Sequence, residues 1–273
     1  MSFPFVKGHG TGNDFVVLPD LDGAVHGQLD PTLVVALCDR RRGIGADGVL
    51  RVVRGGDEAP WFMDYRNADG SVSQMCGNGV RVFARYLVEA GLVDLGAQRG
   101  PLPIGTRDGV KTVTFCDDGD ISVDMGAPTV GGPTTVSANG RRYAARSVAL
   151  GNPHAVAFVD DIDEVGELSE SPYFCGVEFP DEVNIEFVER LGENGLAMRV
   201  YERGVGETQS CGTGACAAVA AVAAAGGAEK SEAHPATYTV GVGGGELSVR
   251  IAADGHLHLK GPAVLVADGT WFG

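Results

Sequence analysis

Two blocks of this sequence recur in the same order in its two halves. In the first half, GTGNDFVV (10–17) is followed by YRNADGSVSQMCGNG (65–79). In the second, ALGNPHAV (149–156) is followed by YERGVGETQSCGTG (201–214). Each second block runs directly into an apolar segment. Blocks matched in one order call for two structurally similar units, and a length of 273 residues is comfortable for two cores.

The segments between the blocks read mainly as short strands. FVVLPDLDG, GVLRVVRGG, WFMDYRNADG, VKTVTFCDDGDISVDMG, RSVALGNPHAVAFVDD, VNIEFVERLGENGLAMRVYERG and GELSVRIAADGHLHLKGPAVLVADG are rich in Val, Ile and Phe and are punctuated by Gly, Asp, Asn or Pro. Their D-G and N-G pairs favour hairpins. Three helices are expected. The first spans about 31–41, with Asp30 as N-cap and Pro31 at the first helical position. The second spans about 77–90, with Val80, Phe83, Ala84, Leu87 and Val88 on one face, Arg81, Arg85 and Glu89 on the other, and Gly91 as C-cap. The third, about 212–225, is almost all Ala and Val up to Gly226-Gly227 and must be buried on every side.

The fold expected is α/β of the α+β type. It consists of two pseudo-symmetric domains, each a mostly antiparallel sheet wrapped around a central helix, with the active site in the cleft between them. Domain boundaries are set at 1–125 and 126–261, the join falling near Met125-Gly126-Ala127-Pro128. The strand in 262–273 is a candidate to return to the first domain.

Charge and cysteine usage narrow the function. A net charge of −15 argues against nucleic acid and anionic membranes as partners. No stretch of about 18 uninterrupted apolar residues suggests a membrane span. MSFPFVKGHG lacks the basic start and apolar stretch of an export signal, so a cytoplasmic location is expected. Arg40, Arg41 and Arg42 form the densest basic cluster and read as a solvated turn or as structural ion pairs. The six cysteines include no C-x-x-C pair and no Cys/His cluster at zinc spacing, so neither a disulfide framework nor a metal is expected. Cys38, Cys116, Cys175 and Cys216 read as small hydrophobes.

Cys76 and Cys211 are different, because each stands just before a helix in the same Gly-rich context. Gly77 and Gly79, like Gly212 and Gly214, allow a sharp turn that bares backbone N–H groups. A helix N-terminus carries partial positive charge and unsatisfied donors, so it lowers a thiol pKa and holds a carboxylate. Asn78 and Thr213 are placed to add side-chain donors. With the two halves face to face, one thiolate would remove an α-proton from one face of an amino acid and the other thiol would return a proton to the opposite face. The helix ends would stabilise the enolate-like charge on the carboxylate without a cofactor. Two such thiols are also poised to join when oxidised.

Asn13 and Asn152 occupy matching places in the repeat, and Asn67 and the pair Glu202-Arg203 precede the cysteines by eight or nine residues. These residues suit a zwitterion, or they serve turns and ion pairs; the sequence leaves both readings open. His154 reads equally as a donor or as a core histidine. A cysteine-nucleophile hydrolase is the rival from another class, but it leaves the second matched cysteine without a role.

KGHGTGNDFVV, RRGIGADG, YRNADGSVSQMCGNGVRVFARYL, LGNPHAV, VNIEFV and YERGVGETQSCGTGACAA together resemble the diaminopimelate epimerase pattern, in order and over essentially the whole chain. The resemblance implies interconversion of LL- and meso-diaminopimelate in lysine synthesis and, in many bacteria, peptidoglycan synthesis. It implies no pyridoxal phosphate or metal, and a homodimer. It implies Cys76 and Cys211 as the acid/base thiols, and Gly77, Asn78, Gly212 and Thr213 as carboxylate-holding turn residues. Asn13, Asn67, Asn152, Asn184, Glu202 and Arg203 complete the implied substrate-contacting set, and His154 supports it. A proline or hydroxyproline racemase of the same superfamily is the nearest alternative. In one place the pattern departs: some relatives carry a substrate-touching Gln after the Asp of G-I-G-x-D, where this chain has Gly48.

Overall fold

The computed structural model describes residues 2–180, 182–226 and 236–273. Gly227, expected beside Gly226 at the end of the third helix, lies outside the described residues. The chain forms two compact units, Met1–Val123 with Gly261–Gly273, and Asp124–Lys260.

The first unit contains β1 (Phe3–Gly10), β2 (Asn13–Pro19), α1 (Pro31–Cys38), β3 (Gly48–Arg54), β4 (Trp61–Asn67), α2 (Gly77–Glu89), β5 (Leu102–Thr106), β6 (Gly109–Phe115) and the start of β7 (Ile121–Asp124). The final strand of the chain, β17 (Val264–Trp271), pairs antiparallel with β1. From β17 the sheet runs through β1, β2, β3, β4, β5, β6 and β7. Only β2–β3 and β4–β5 are parallel, and α2 fills the second of these connections. The helix packs against β1, β2, β3, β4 and β17, which makes it the centre of the unit.

The second unit contains β8 (Thr129–Ala138), β9 (Arg141–Ala149), β10 (Pro153–Val159), β11 (Asn184–Arg190), β12 (Gly195–Glu202), β13 (Gly206–Thr208), α3 (Gly212–Ala225), β14 (Thr237–Val242), β15 (Gly245–Ile251) and β16 (Leu257–Gly261). Its parallel pairs are β10–β11 and β12–β14, and α3 lies in the second of these connections. The two units thus share one wiring, with β8 flanking β9 as β17 flanks β1.

Three sequence expectations change. The first helix stops at Cys38 rather than near 41, because the Asp39 carboxylate accepts the backbone N–H groups of Arg41 and Arg42 and turns the chain. Arg81, assigned to a polar face, is fully buried; it donates to Thr11 Oγ1 at 2.9 Å and to the carbonyls of Gly77 and Pro262. Cys175 is exposed and Cys116 half-buried, whereas Cys38 is buried and its thiol is pushed up to about 12 by that burial. The all-apolar α3 is buried from Gly212 to Val222, as a helix without a polar face requires. The cluster at 40–42 makes ion pairs: Arg40 with Asp14 and Asp47, and Arg42 with Asp39.

Candidate functional site

Each matched cysteine is the N-cap of its helix. Cys76 has extended backbone, and its Sγ accepts the N–H of Gly79 at 3.3 Å. Cys211 does the same with the N–H of Gly214 at 3.4 Å. Both sulfurs therefore take the place that Ser or Asp oxygens usually fill at a cap. Gly79 and Gly214 keep ordinary negative φ, so their role is close approach rather than a left-handed turn. A Cβ on Gly79 would lie 3.2 Å from Leu50 Cδ2, and one on Gly214 would lie 2.6 Å from Glu186 Oε1.

Around Cys76, the side chain of Asn13 is the hub. Its Oδ1 accepts from Asn78 Nδ2 at 3.2 Å and from the Cys76 thiol at 3.7 Å. Its Nδ2 donates to Asp47 Oδ2 at 2.8 Å, and Asp47 is held in turn by Arg40 at 2.7 Å. Asp14 joins the same cluster through Lys7 and Arg40. Burial raises the Asp14 pKa, but the hydrogen bonds and charges of Arg40 and Lys7 outweigh it and hold the group at about 2. Asn67 makes a turn contact, donating to Ser71 Oγ at 2.9 Å. At Gly48 a Cβ would fall 2.6 Å from the Arg66 carbonyl oxygen, so a longer residue does not fit the backbone found here.

Around Cys211, Thr213 Oγ1 lies 3.4 Å from the sulfur and 3.5 Å from Asn152 Nδ2. Asn152 Oδ1 meets His154 Nε2 at 2.8 Å, and His154 Nδ1 meets Glu186 Oε1 at 2.7 Å. His154 is thus a member of a polar series ending at the cysteine. Asn184 Oδ1 accepts the Arg203 N–H at 3.0 Å, and Glu202 accepts the Thr208 hydroxyl.

The expected lowering of both thiol pKa values does not hold at Cys211. Burial pushes this thiol well above its ordinary range, and the Glu202 and Glu186 carboxylates push the same way. Bonds from Thr213 and the Gly214 N–H oppose them without prevailing. At Cys211 the helix N-terminus is outweighed by burial and by the two nearby carboxylates.

The structure therefore gathers Cys76, Gly77, Asn78 and Asn13 at one helix start, and Cys211, Gly212, Thr213, Asn152 and His154 at the other. Asn67, Asn184, Glu202 and Arg203 make the local bonds just described or flank them. Sequence reasoning missed Asp47, Arg81 and Glu186. The signal for Glu186 was present: NIEFVE places an acid inside an apolar strand where the first repeat has GVLRVV.

The chain matches the sequence profile of the diaminopimelate epimerase family over residues 5–131 and 146–266. It is 51% identical to the diaminopimelate epimerase of Streptomyces coelicolor, over 98% of this chain and 94% of the relative. It is 44% identical to that of Corynebacterium glutamicum, over 98% of both. Among solved structures, a hydroxyproline epimerase from Agrobacterium vitis superposes with a TM-score of 0.73 at 15% identity, covering 98% of this chain and 92% of the other. A Bacillus anthracis protein of the PhzF family gives 0.73 at 18%, covering 100% and 99%. These last two share the fold. Relatives this similar, matched from end to end, settle the family: the chain belongs to the diaminopimelate epimerases.

Proposed function

We propose that this protein interconverts LL- and meso-diaminopimelate by a two-base mechanism in which Cys76 and Cys211 act on opposite faces of the α-carbon. The observation that carries the reading is the duplicated cap: two thiols, each at a helix start and each bonded to the N–H three residues on. In this reading the substrate α-carboxylate is held by the N–H groups that open α2 and α3, those of Asn78 and Thr213 among them. Loss of the α-proton places enolate-like charge on that carboxylate, where the helix ends stabilise it. One sulfur leaves as a thiol and the other as a thiolate, so each turnover exchanges their protonation states. Burial at Cys211 favours this thiol as the proton donor at rest.

Asn13, Asn67, Asn152, Asn184, Glu202 and Arg203 are assigned to the ammonium and carboxylate groups at the two ends of the substrate. The chemistry needs neither pyridoxal phosphate nor metal, since the helix ends supply the electrostatic stabilisation. No described helix is long and apolar enough to cross a membrane. A role in lysine synthesis is in keeping with the family, and a cytoplasmic location and a role in peptidoglycan-precursor synthesis are proposed with it. The homodimer is proposed on the same ground.

The decisive experiment follows the α-proton of LL-diaminopimelate by NMR in D₂O with reduced protein. Solvent deuterium should enter the inverted product ahead of the remaining substrate. Inversion of proline or hydroxyproline in place of diaminopimelate would favour the racemase reading. Neither exchange nor inversion in folded, reduced protein would overturn the proposal.

A further inference from the structure

Beneath the start of α3 lies an acidic side chain with no role in the reaction as proposed. Glu186, in β11, is 0% exposed. Its Oε1 meets His154, and its Oε2 has no hydrogen-bonding partner among the described residues. Leaving a buried carboxylate oxygen unpaired is costly. The first unit solves the same packing problem without one. There the parallel register sets Phe15 beside Gly48 and Val17 beside Leu50. In the second unit it sets His154 beside Asn184 and Val156 beside Glu186. Leu50 therefore stands in the place of Glu186, and Phe15 in that of His154. The helix glycines agree, since the Cβ direction of Gly79 meets Leu50 and that of Gly214 meets Glu186. An apolar pair supports one helix, so packing alone does not demand a polar pair under the other.

The hydrogen-bond directions show what the polar pair does. At 2.7 Å, Glu186 Oε1 and His154 Nδ1 must share a proton. His154 Nε2 faces Asn152 Oδ1, an atom that only accepts, so Nε2 carries a proton and donates it. Asn152 then turns its Nδ2 toward Thr213 Oγ1. Either atom of the Thr213–Cys211 pair can donate while the sulfur is a thiol; once it is a thiolate it only accepts, and Thr213 directs its hydrogen to it. With the thiolate formed, each donor in the series points toward the sulfur. Whether the shared proton sits on Glu186 or on His154, the bond at Nδ1 leaves Nε2 its own proton for Asn152.

We infer that Glu186 is a positioning residue that acts through His154, Asn152 and Thr213 to keep a hydroxyl donor aimed at the Cys211 sulfur. This deepens the acid/base role proposed for Cys211 and rests on it. When Cys211 gives its proton to the α-carbon, the thiolate left behind accepts bonds already in place from Thr213 and the Gly214 N–H. The field of the Glu186 carboxylate would act oppositely, so the sign of its removal separates the two effects.

The test uses the whole reduced protein and iodoacetamide, with alkylation of Cys211 followed by mass spectrometry and Cys76 as internal standard. Loss of a hydrogen bond to a charged sulfur predicts that E186L slows Cys211 alkylation about tenfold and leaves Cys76 within about twofold. T213V should slow it similarly, and E186L/T213V should be no slower than T213V, because both act in one series. E186Q can still hold His154 Nδ1 and should restore most of the rate. If E186L does not fold, E186L/H154F copies the apolar pair of the first unit and takes its place. An unchanged or faster Cys211 in folded protein, or losses that multiply in E186L/T213V, would overturn the inference. The readout needs no substrate, so it stands whether or not diaminopimelate is turned over; where it is, E186L should lower kcat and leave KM nearly unchanged.

Discussion

A thiol serves an acid/base reaction only if its surroundings let it change protonation state, and the surroundings of Cys76 and Cys211 differ. Asn13, Asn78 and the Gly79 N–H bond Cys76 or its neighbours, while Cys211 is buried among Glu186, Glu202 and Thr213. In the two-thiol proposal, removing either sulfur removes one face of the reaction. C76A and C211A should each lower kcat for epimerisation by at least about a thousandfold, with folding by circular dichroism unchanged. Retention of appreciable inversion by either variant would count against the two-thiol reading. Both cysteines were legible in the sequence because the repeat displays them twice in one context. Their supporting residues were not: Asp47 and Glu186 reach the site through pairing of β2 with β3 and of β10 with β11, contacts between residues about thirty apart in the chain. Arg81 was misjudged because helical periodicity places a residue on a face but does not say that Thr11 and Pro262 will cover it.

The helices and the turns before them carry their own consequences. The start of α3 leaves no room at Gly214, where an added Cβ would sit 2.6 Å from Glu186 Oε1. G214A should destabilise the protein by about 1–3 kcal/mol in urea unfolding, the usual cost of overpacking. In the first unit, Asp14 ties the turn at 40–47 to β1 through Lys7, Arg40 and the Asp47 N–H. Its folded pKa of about 2 is depressed from the ordinary 3.8. Asp14 thus adds stability that is fully present above the unfolded value and is lost as pH falls through about 2. D14N should cost about 2 kcal/mol near neutrality and flatten the acid limb of the stability profile, as read by thermal melts across pH. Strands flanked by Gly and Asp were readable from composition. The strand β8, TVGGPTTVSA, was not, since Gly-Gly-Pro normally argues against a strand. The ladder accommodates it with a register shift between Val130 and Pro133.

At the scale of the molecule, the two-thiol proposal predicts redox sensitivity. An oxidant such as diamide should abolish epimerase activity, dithiothreitol should restore it, and a linked Cys76–Cys211 peptide should appear in the inactive sample. Inactive oxidised protein with both thiols free would contradict this. The repeat was legible as two similar units, and 262–273 as a candidate to return to the first; that β8 takes the matching place in the second was not. The strand flanking β9 precedes it in the chain as β8, whereas the strand flanking β1 is β17, which follows everything else. During synthesis, the second unit has all its strands from β8 to β16 before β17 leaves the ribosome, while the first must wait with one flank of β1 uncovered. The half made first is therefore completed last, and a released chain truncated before Val264 should hold a native second unit and an unfinished first one, open to protease.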